Sequence, residues 1–275
     1  MTEPTAQPTD PLADTQTAAL TYTSYLALDE VLAAQRPRSD EHDEMLFIVI
    51  HQVYELWFKQ LLHELAHLQQ KLEKVDTPHA VRTLRRALTI LKVVVAQIDV
   101  LETMTPLQFT SFRTRLDESS GFQSGQFREL EAVLGRRDNR MLKPYPKDSV
   151  AYERVTAAMT RRSLFDSFLH YLAGSGYDIP AEHLNRDVRT QWTESERVQE
   201  VLVRVYGDDS GPSTVADLLV DLDEGMQEWR YRHVKMVERT IGGKAGTGGS
   251  AGAAYLRSTL FNAVFPDLWA VRSQL

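Results

Sequence analysis

Between residues 41 and 74 the apolar side chains Leu46, Val49, Val53, Leu56, Trp57, Leu61, Leu65, Leu68 and Leu72 recur at steps of three and four. Only an α-helix places such residues on one face. At 1.5 Å per residue the run makes a rod of roughly 50 Å, and its stripe needs other long helices to cover it. Thr77-Pro78 supplies a cap and a first-turn proline, after which Leu84, Leu88, Leu91 and Val95 keep the same period, so residues 81–102 are expected to form a second, antiparallel helix. Thr105-Pro106 repeats the start signal for a short helix ending near Arg115. Residues 116–121 read as a loop because Asp, Ser and Gly cluster there. Further helices are expected over 123–135, 149–173, 194–206 and 213–241, and a last one from Ala253. No segment alternates apolar and polar residues between turn signals. The expected fold is therefore all-α, a helical bundle. Residues 1–19, rich in Thr, Pro, Asp and Ala, read as a disordered leader. Residues 20–275 read as one domain, without internal repeat or linker.

Composition removes several chemistries. The chain has no cysteine, so disulfides, thiolate nucleophiles, iron–sulfur clusters and Cys-zinc sites are excluded. Any metal must be held by His or carboxylate, directly or through a cofactor. A formal net charge of −7 argues against a nucleic-acid surface, and the basic cluster 82–86 is interrupted at helical spacing, as on a solvated helix face. No apolar run approaches the ~20 residues of a bilayer span, and the leader lacks the positive start of a signal peptide. A soluble, cytoplasmic protein with no membrane or nucleic-acid partner is expected.

Five features could carry chemistry. His63-Glu64-Leu65-Ala66-His67 matches H-E-x-x-H, in which two histidines one turn apart hold zinc and the glutamate activates water. A zinc hydrolase also needs a third ligand, which Leu68-Gln69-Gln70-Lys71 does not offer. Gln60, His63, Glu64, His67 and Lys71 would then form a solvated polar face. His51, one turn from Phe47 and from Glu55 in an apolar segment, should be buried, either as a hydrogen-bonded core residue or as a catalytic one. His233, within a long helix, is either helix furniture or a ligand for haem iron. Arg113 follows Phe109 and Phe112, and a guanidinium beside aromatics suits a carboxylate attached to an apolar body, although a plain surface arginine is equally consistent. The glycine-rich stretch 242–252 lacks the Lys-Ser/Thr ending of a phosphate loop. It is a flexible connector or a loop that closes on a ligand.

Taken together, Thr21-Tyr22-Thr23-Ser24-Tyr25-Leu26-Ala27-Leu28-Asp29, the run His42-Asp43-Glu44-Met45-Leu46-Phe47 with His51-Gln52-Val53-Tyr54-Glu55-Leu56-Trp57, Ser119-Ser120-Gly121-Phe122-Gln123-Ser124 and Lys244-Ala245-Gly246-Thr247-Gly248-Gly249 resemble the tryptophan 2,3-dioxygenase family in order and spacing. The resemblance covers residues 20–268. It implies a helical bundle with a haem pocket, haem b with ferrous iron in the active state, O2 as co-substrate, and conversion of L-tryptophan to N-formylkynurenine. It makes His233 the proximal iron ligand, His51 the distal residue that meets the indole N–H, and Arg113 the carboxylate clamp. Phe47 and Phe109 would pack on the indole, Ser120 and Gly121 would line the oxygen side, and Thr247 would touch the ammonium and carboxylate. Tyr22 and Tyr25 would reach into a neighbouring subunit's pocket, which implies a homotetramer built as a dimer of dimers. Three positions depart from the family pattern: Ile50, Gly125 and Ala251. Each is expected to retune the pocket, and the same ligands would also serve a monooxygenase that adds one oxygen to tryptophan or a methylated relative.

Overall fold

A computed structural model of the chain describes residues 19–116, 119, 121–244 and 256–275. The described residues contain helices and no β-strand, so the all-α expectation stands, and none of these helices is long and apolar enough to cross a membrane. The chain separates into two compact units, one ending at Arg36 and the other running from Pro37 to Leu275. In the first, α1 (Tyr22–Leu26) starts on a reciprocal Thr21–Ser24 capping box and passes to α2 (Leu28–Leu32) through Ala27, which is left-handed at φ 48°. No residue of either helix is buried.

The second unit is organised by three long helices. α3 (His42–Glu73) and α4 (Thr77–Leu101) pack along each other, and α11 (Gly211–Ile241) packs on α4. Leu61, Leu65, Leu68 and Leu72 of α3 meet Leu84, Leu91 and Ile98 of α4 and Leu219, Leu222 and Met226 of α11 in one buried cluster. Each such side chain contributes about 2 kcal/mol by leaving water. Gly225 sets how closely α11 approaches α4. A Cβ there would stand 2.6 Å from Leu91 Cδ2, nearer than any real contact allows.

The cap of α4 is Asp76, one residue earlier than the sequence suggests, and it accepts from the His79 backbone N–H. Thr77 is free for another task, and its hydroxyl pairs with Tyr171 at 2.7 Å. Thr105 caps α5 (Pro106–Arg113) in a box with Gln108 as its signal implies. After a 3-10 turn at Gly121–Gln123 comes α6 (Gly125–Leu134). The single helix expected over 149–173 is two, α7 (Val150–Met159) and α8 (Leu164–Gly174). Between them Ser163 caps α8 in a buried box with Asp166. The polar run Thr160-Arg161-Arg162-Ser163 interrupts the apolar periodicity at this N-cap, and the single-helix expectation ran across it. α9 (Ala181–Leu184) was not anticipated, whereas α10 (Glu196–Gly207) was. The C-terminal segment ends in α12 (Pro266–Ala270) and a 3-10 turn.

Candidate active site

Helices α3 and α11, the short α5 and part of α6 wall a cavity of about 220 Å³, several times the volume one water occupies. From α3 come Phe47, His51, Tyr54, Glu55 and Phe58, and from α11 Trp229, Arg230, His233, Met236 and Val237. Both sets keep spacings of three, four and seven, so helical geometry alone turns them to one side. α5 adds Phe109 and Arg113, and Gly121 of the 3-10 turn completes the edge beside α3.

His51 lies against Phe47, with ring centroids 4.2 Å apart. Its Nδ1 stands 2.7 Å from the Phe47 carbonyl oxygen one turn back. A carbonyl only accepts, so Nδ1 carries the proton and Nε2 of the neutral ring offers a lone pair. Burial lowers the His51 pKa from its ordinary value, while the Phe47 hydrogen bond and the Glu55 carboxylate act the other way. The neutral form therefore prevails near pH 7. Phe47, Phe109 and Phe112 form a triad with centroids 5.5 to 5.7 Å apart, an apolar wall beside that lone pair. A Cβ added at Gly121 would touch His51 Cδ2 and Nε2 at 3.9 Å, so any longer side chain there would fill the space in front of Nε2. Gln126 donates to both the backbone oxygen and the Oε2 of Glu55, each at 2.8 Å, and fixes that carboxylate at the cavity edge.

His233 is held neutral more strongly. Burial chiefly, then the electrostatic influence of the neighbouring His51 and Arg128, pushes its pKa down to about 4. Arg232 pairs with Asp99 and Glu102 of α4, and Arg239 with Glu102, which pins the rotation of α11 at the level of His233. At the polar end of the cavity, Glu131 accepts from Arg128 at 2.6 Å and Arg136 at 2.8 Å, with Arg230 3.7 Å away. Among the described residues, Tyr54 Oη and Trp229 Nε1 are buried in the cavity lining with no hydrogen-bond partner. A buried donor left unmade costs about 1–3 kcal/mol.

Phe47, His51, Phe109, Arg113, Gly121 and His233 are thus gathered at one cavity. Ser120 and Thr247, with Ala251, lie outside the described residues. Tyr22 and Tyr25 belong to the first unit and are 76% and 70% exposed. Sequence analysis missed Tyr54, Phe58, Trp229 and the Arg128–Glu131 pair. The first three were within reach, since they sit three, four and seven residues from the two histidines. Two expectations need correction. Glu64 is not solvated: it is buried and accepts from Gln60 Nε2 at 2.7 Å and from Arg86, while His63 and His67 are exposed. No group of three potential metal ligands gathers among the described residues, so nothing favours a zinc site. Nor do Ile50 and Gly125 line the cavity. Ile50 packs in the core, and a Cβ at 125 would stand 2.8 Å from Ala151 Cβ, so the glycine serves the contact between α6 and α7.

A family model described as tryptophan 2,3-dioxygenase matches residues 7–172 and 181–275. A tryptophan 2,3-dioxygenase of Anaeromyxobacter dehalogenans (strain 2CP-C) is 65% identical over 268 residues, covering 97% of this chain and 100% of its own. Those of Herpetosiphon aurantiacus and Caulobacter vibrioides are 57% and 43% identical over 259 residues, covering 94% and 93% of this chain and 99% and 98% of theirs.

Proposed function

Because the chain belongs to the tryptophan 2,3-dioxygenase family, we propose that it is a haem-dependent oxidoreductase that adds both atoms of O2 across the indole C2–C3 bond of L-tryptophan, giving N-formylkynurenine. The observation that carries this is the pair of neutral imidazoles, His51 on α3 and His233 on α11, facing one apolar cavity with Arg113 at its edge.

The residues suit a haem. A neutral imidazole keeps the lone pair that iron requires, and among the described residues no hydrogen bond engages the His233 ring. The orphaned Tyr54 and Trp229 donors and the open space beside Gly121 mark a lining that the polypeptide alone does not complete. His233 would hold the iron of haem b, with Gly121 and Ser120 on the oxygen side. When bound, the ferrous haem supplies O2 binding and activation.

The remaining work falls to the chain. His51 Nε2 accepts the indole N–H and so orients the ring; Nδ1, committed to Phe47, keeps the tautomer fixed. An indole N–H is a very weak acid, so His51 positions the substrate and does not need to deprotonate it. Phe47 and Phe109 pack on the indole and exclude water. Arg113 grips the carboxylate in a two-point fork, and Thr247 meets the ammonium and carboxylate. Free indole or tryptamine would bring no carboxylate to Arg113, which is the basis of specificity for the amino acid. Residues 20–275 act as one oxygenase domain in the cytoplasm, assembled as a homotetramer in which Tyr22 and Tyr25, both exposed here, complete a neighbouring subunit's site.

The test is to reduce haem-loaded protein without oxygen, add L-tryptophan and then air, and follow absorbance and product mass together. The N-formylkynurenine chromophore with a mass gain of two oxygen atoms is expected. A gain of one oxygen would replace dioxygenation by monooxygenation.

A further inference from the structure

Metal-bound histidines are ordinarily oriented by a hydrogen bond from the ring nitrogen that does not bind the metal. Among the described residues none reaches His233. What lies against its imidazole is the indole of Trp229, one turn earlier on α11, nearly parallel at 11° with centroids 5.0 Å apart. Trp229 is itself backed by Phe127 at 4.7 Å and 36° and by the edge contact of Phe58 at 6.3 Å and 82°. Phe58 and Phe127 touch each other at 5.4 Å. These three rings come from α3, α6 and α11, so the stack ties the helix that carries His233 to two of its neighbours. Among the described residues the Trp229 indole Nε1 meets no acceptor, and the contacts that hold the indole are those of Phe127 and Phe58. Offset or parallel aromatic pairs contribute about 0.5–1.5 kcal/mol beyond their buried area, enough to favour one ring orientation over others severalfold.

We propose that Trp229 is the positioning residue of the His233 imidazole, and that the Phe58–Phe127–Trp229 stack sets the plane of this ligand. This rests on His233 being the haem ligand. Its consequence is a proximal imidazole whose orientation depends on an aromatic face, so that any planar ring at position 229 should serve and an aliphatic one should not.

The experiment is resonance Raman spectroscopy of the ferrous, haem-loaded protein, reading the iron–histidine stretching band in wild type, Trp229→Phe, Trp229→Leu and Phe127→Leu. Trp229→Leu should displace and broaden the band, Trp229→Phe should restore it, and Phe127→Leu should broaden it less. Phe127→Leu keeps the test open if Trp229→Leu does not fold, since it loosens the stack from behind. An unchanged band in both leucine variants would overturn the proposal. So would equal displacement in Trp229→Phe and Trp229→Leu, because it would assign the effect to the indole N–H. His233→Ala separates the two claims. If it keeps the wild-type band, His233 is not the ligand and the positioning role falls with it; if it loses the band while Trp229→Leu does not move it, only the positioning role falls.

Discussion

Ten residues apart on α11, two buried regions treat polar atoms in opposite ways. Asp223 is fully buried and saturated: Oδ2 accepts from the Val264 and Phe265 backbone N–H groups at 2.7 and 2.9 Å and from Trp269 Nε1 at 2.9 Å, and Oδ1 accepts from Gln227 at 2.9 Å. Asp267 answers it from the other side, accepting from Trp192 Nε1, the Ser195 N–H and Gln199. At the other end of the same helix, Trp229 Nε1 is buried without an acceptor and the His233 ring has no hydrogen bond among the described residues. Buried polar groups are nearly always paired. Among the described residues the first region is thus saturated and works for stability, while the second keeps an unpaired donor beside a cavity, as the haem proposed above would require.

If that division is right, substitutions at the two ends of α11 should separate activity from stability. The largest effect is expected for His233→Ala, which should bring N-formylkynurenine formation to background and abolish the haem absorption band. Its urea unfolding, measured without haem, should shift by no more than about 1 kcal/mol, because a side chain bordering open space loses little packing. Asp223→Ala should do the reverse. It strands several buried donors at ~1–3 kcal/mol each, so unfolding should weaken by on the order of 3 kcal/mol, while the folded fraction keeps its haem spectrum. A stable Asp223→Ala protein, or a His233→Ala protein that no longer folds, would erase the contrast.

The contrast was only half legible in the sequence. Long helices were readable because Leu61, Leu65, Leu68 and Leu72 repeat with the period of the helix they build. The break between α7 and α8 was readable as well but was passed over: the polar run Thr160-Arg161-Arg162-Ser163 interrupts the apolar pattern, and Ser163 with Asp166 spells a capping box. His51, His233 and Arg113 were found as individual residues, and Phe47 and Phe109 as substrate contacts through the family resemblance. Trp229, Tyr54 and Phe58 were missed although they share helical faces with the two histidines, because an aromatic at helical spacing looks the same whether it lines a core or a cavity. Asp223 and Asp267 could not have been found at all. Apart from Gln227, their partners lie 41 to 75 residues away, and no local pattern records such a distance.

A smaller effect tests the electrostatics of the cavity. His51 must be neutral to accept the indole N–H, and burial lowers its pKa below the ordinary 6.5, against the raising influence of Phe47 and Glu55. Arg113, Arg128 and His233 line the same cavity. Protonation is thus deferred to acid. A kcat/KM profile taken between about pH 5 and 8 should be flat near neutrality and fall on the acid side by at most about tenfold per pH unit, with the limb centred below 6.5. His51→Ser should lower the plateau and lose the limb. A limb centred above 6.5 in the wild type would mean that Glu55 outweighs burial.

The smallest effect is expected where the sequence looked most like chemistry. Helix α3 carries His51 and, twelve and sixteen residues later, His63 and His67, so at 100° per residue the latter two point about 120° and 160° away from the cavity face, whereas Phe58 at seven residues returns to within about 20° of it. The exposures agree, for Phe58 is buried while His63 and His67 face solvent. Glu64, between them, is committed to Gln60 and Arg86 and is not available to activate water. The double substitution His63→Ala with His67→Ala should therefore leave unfolding within about 0.5 kcal/mol of wild type and turnover of L-tryptophan unchanged, whether or not zinc is present. A larger loss, or activity that follows added zinc, would show that helical phase is not what separates working histidines from bystanders on this helix.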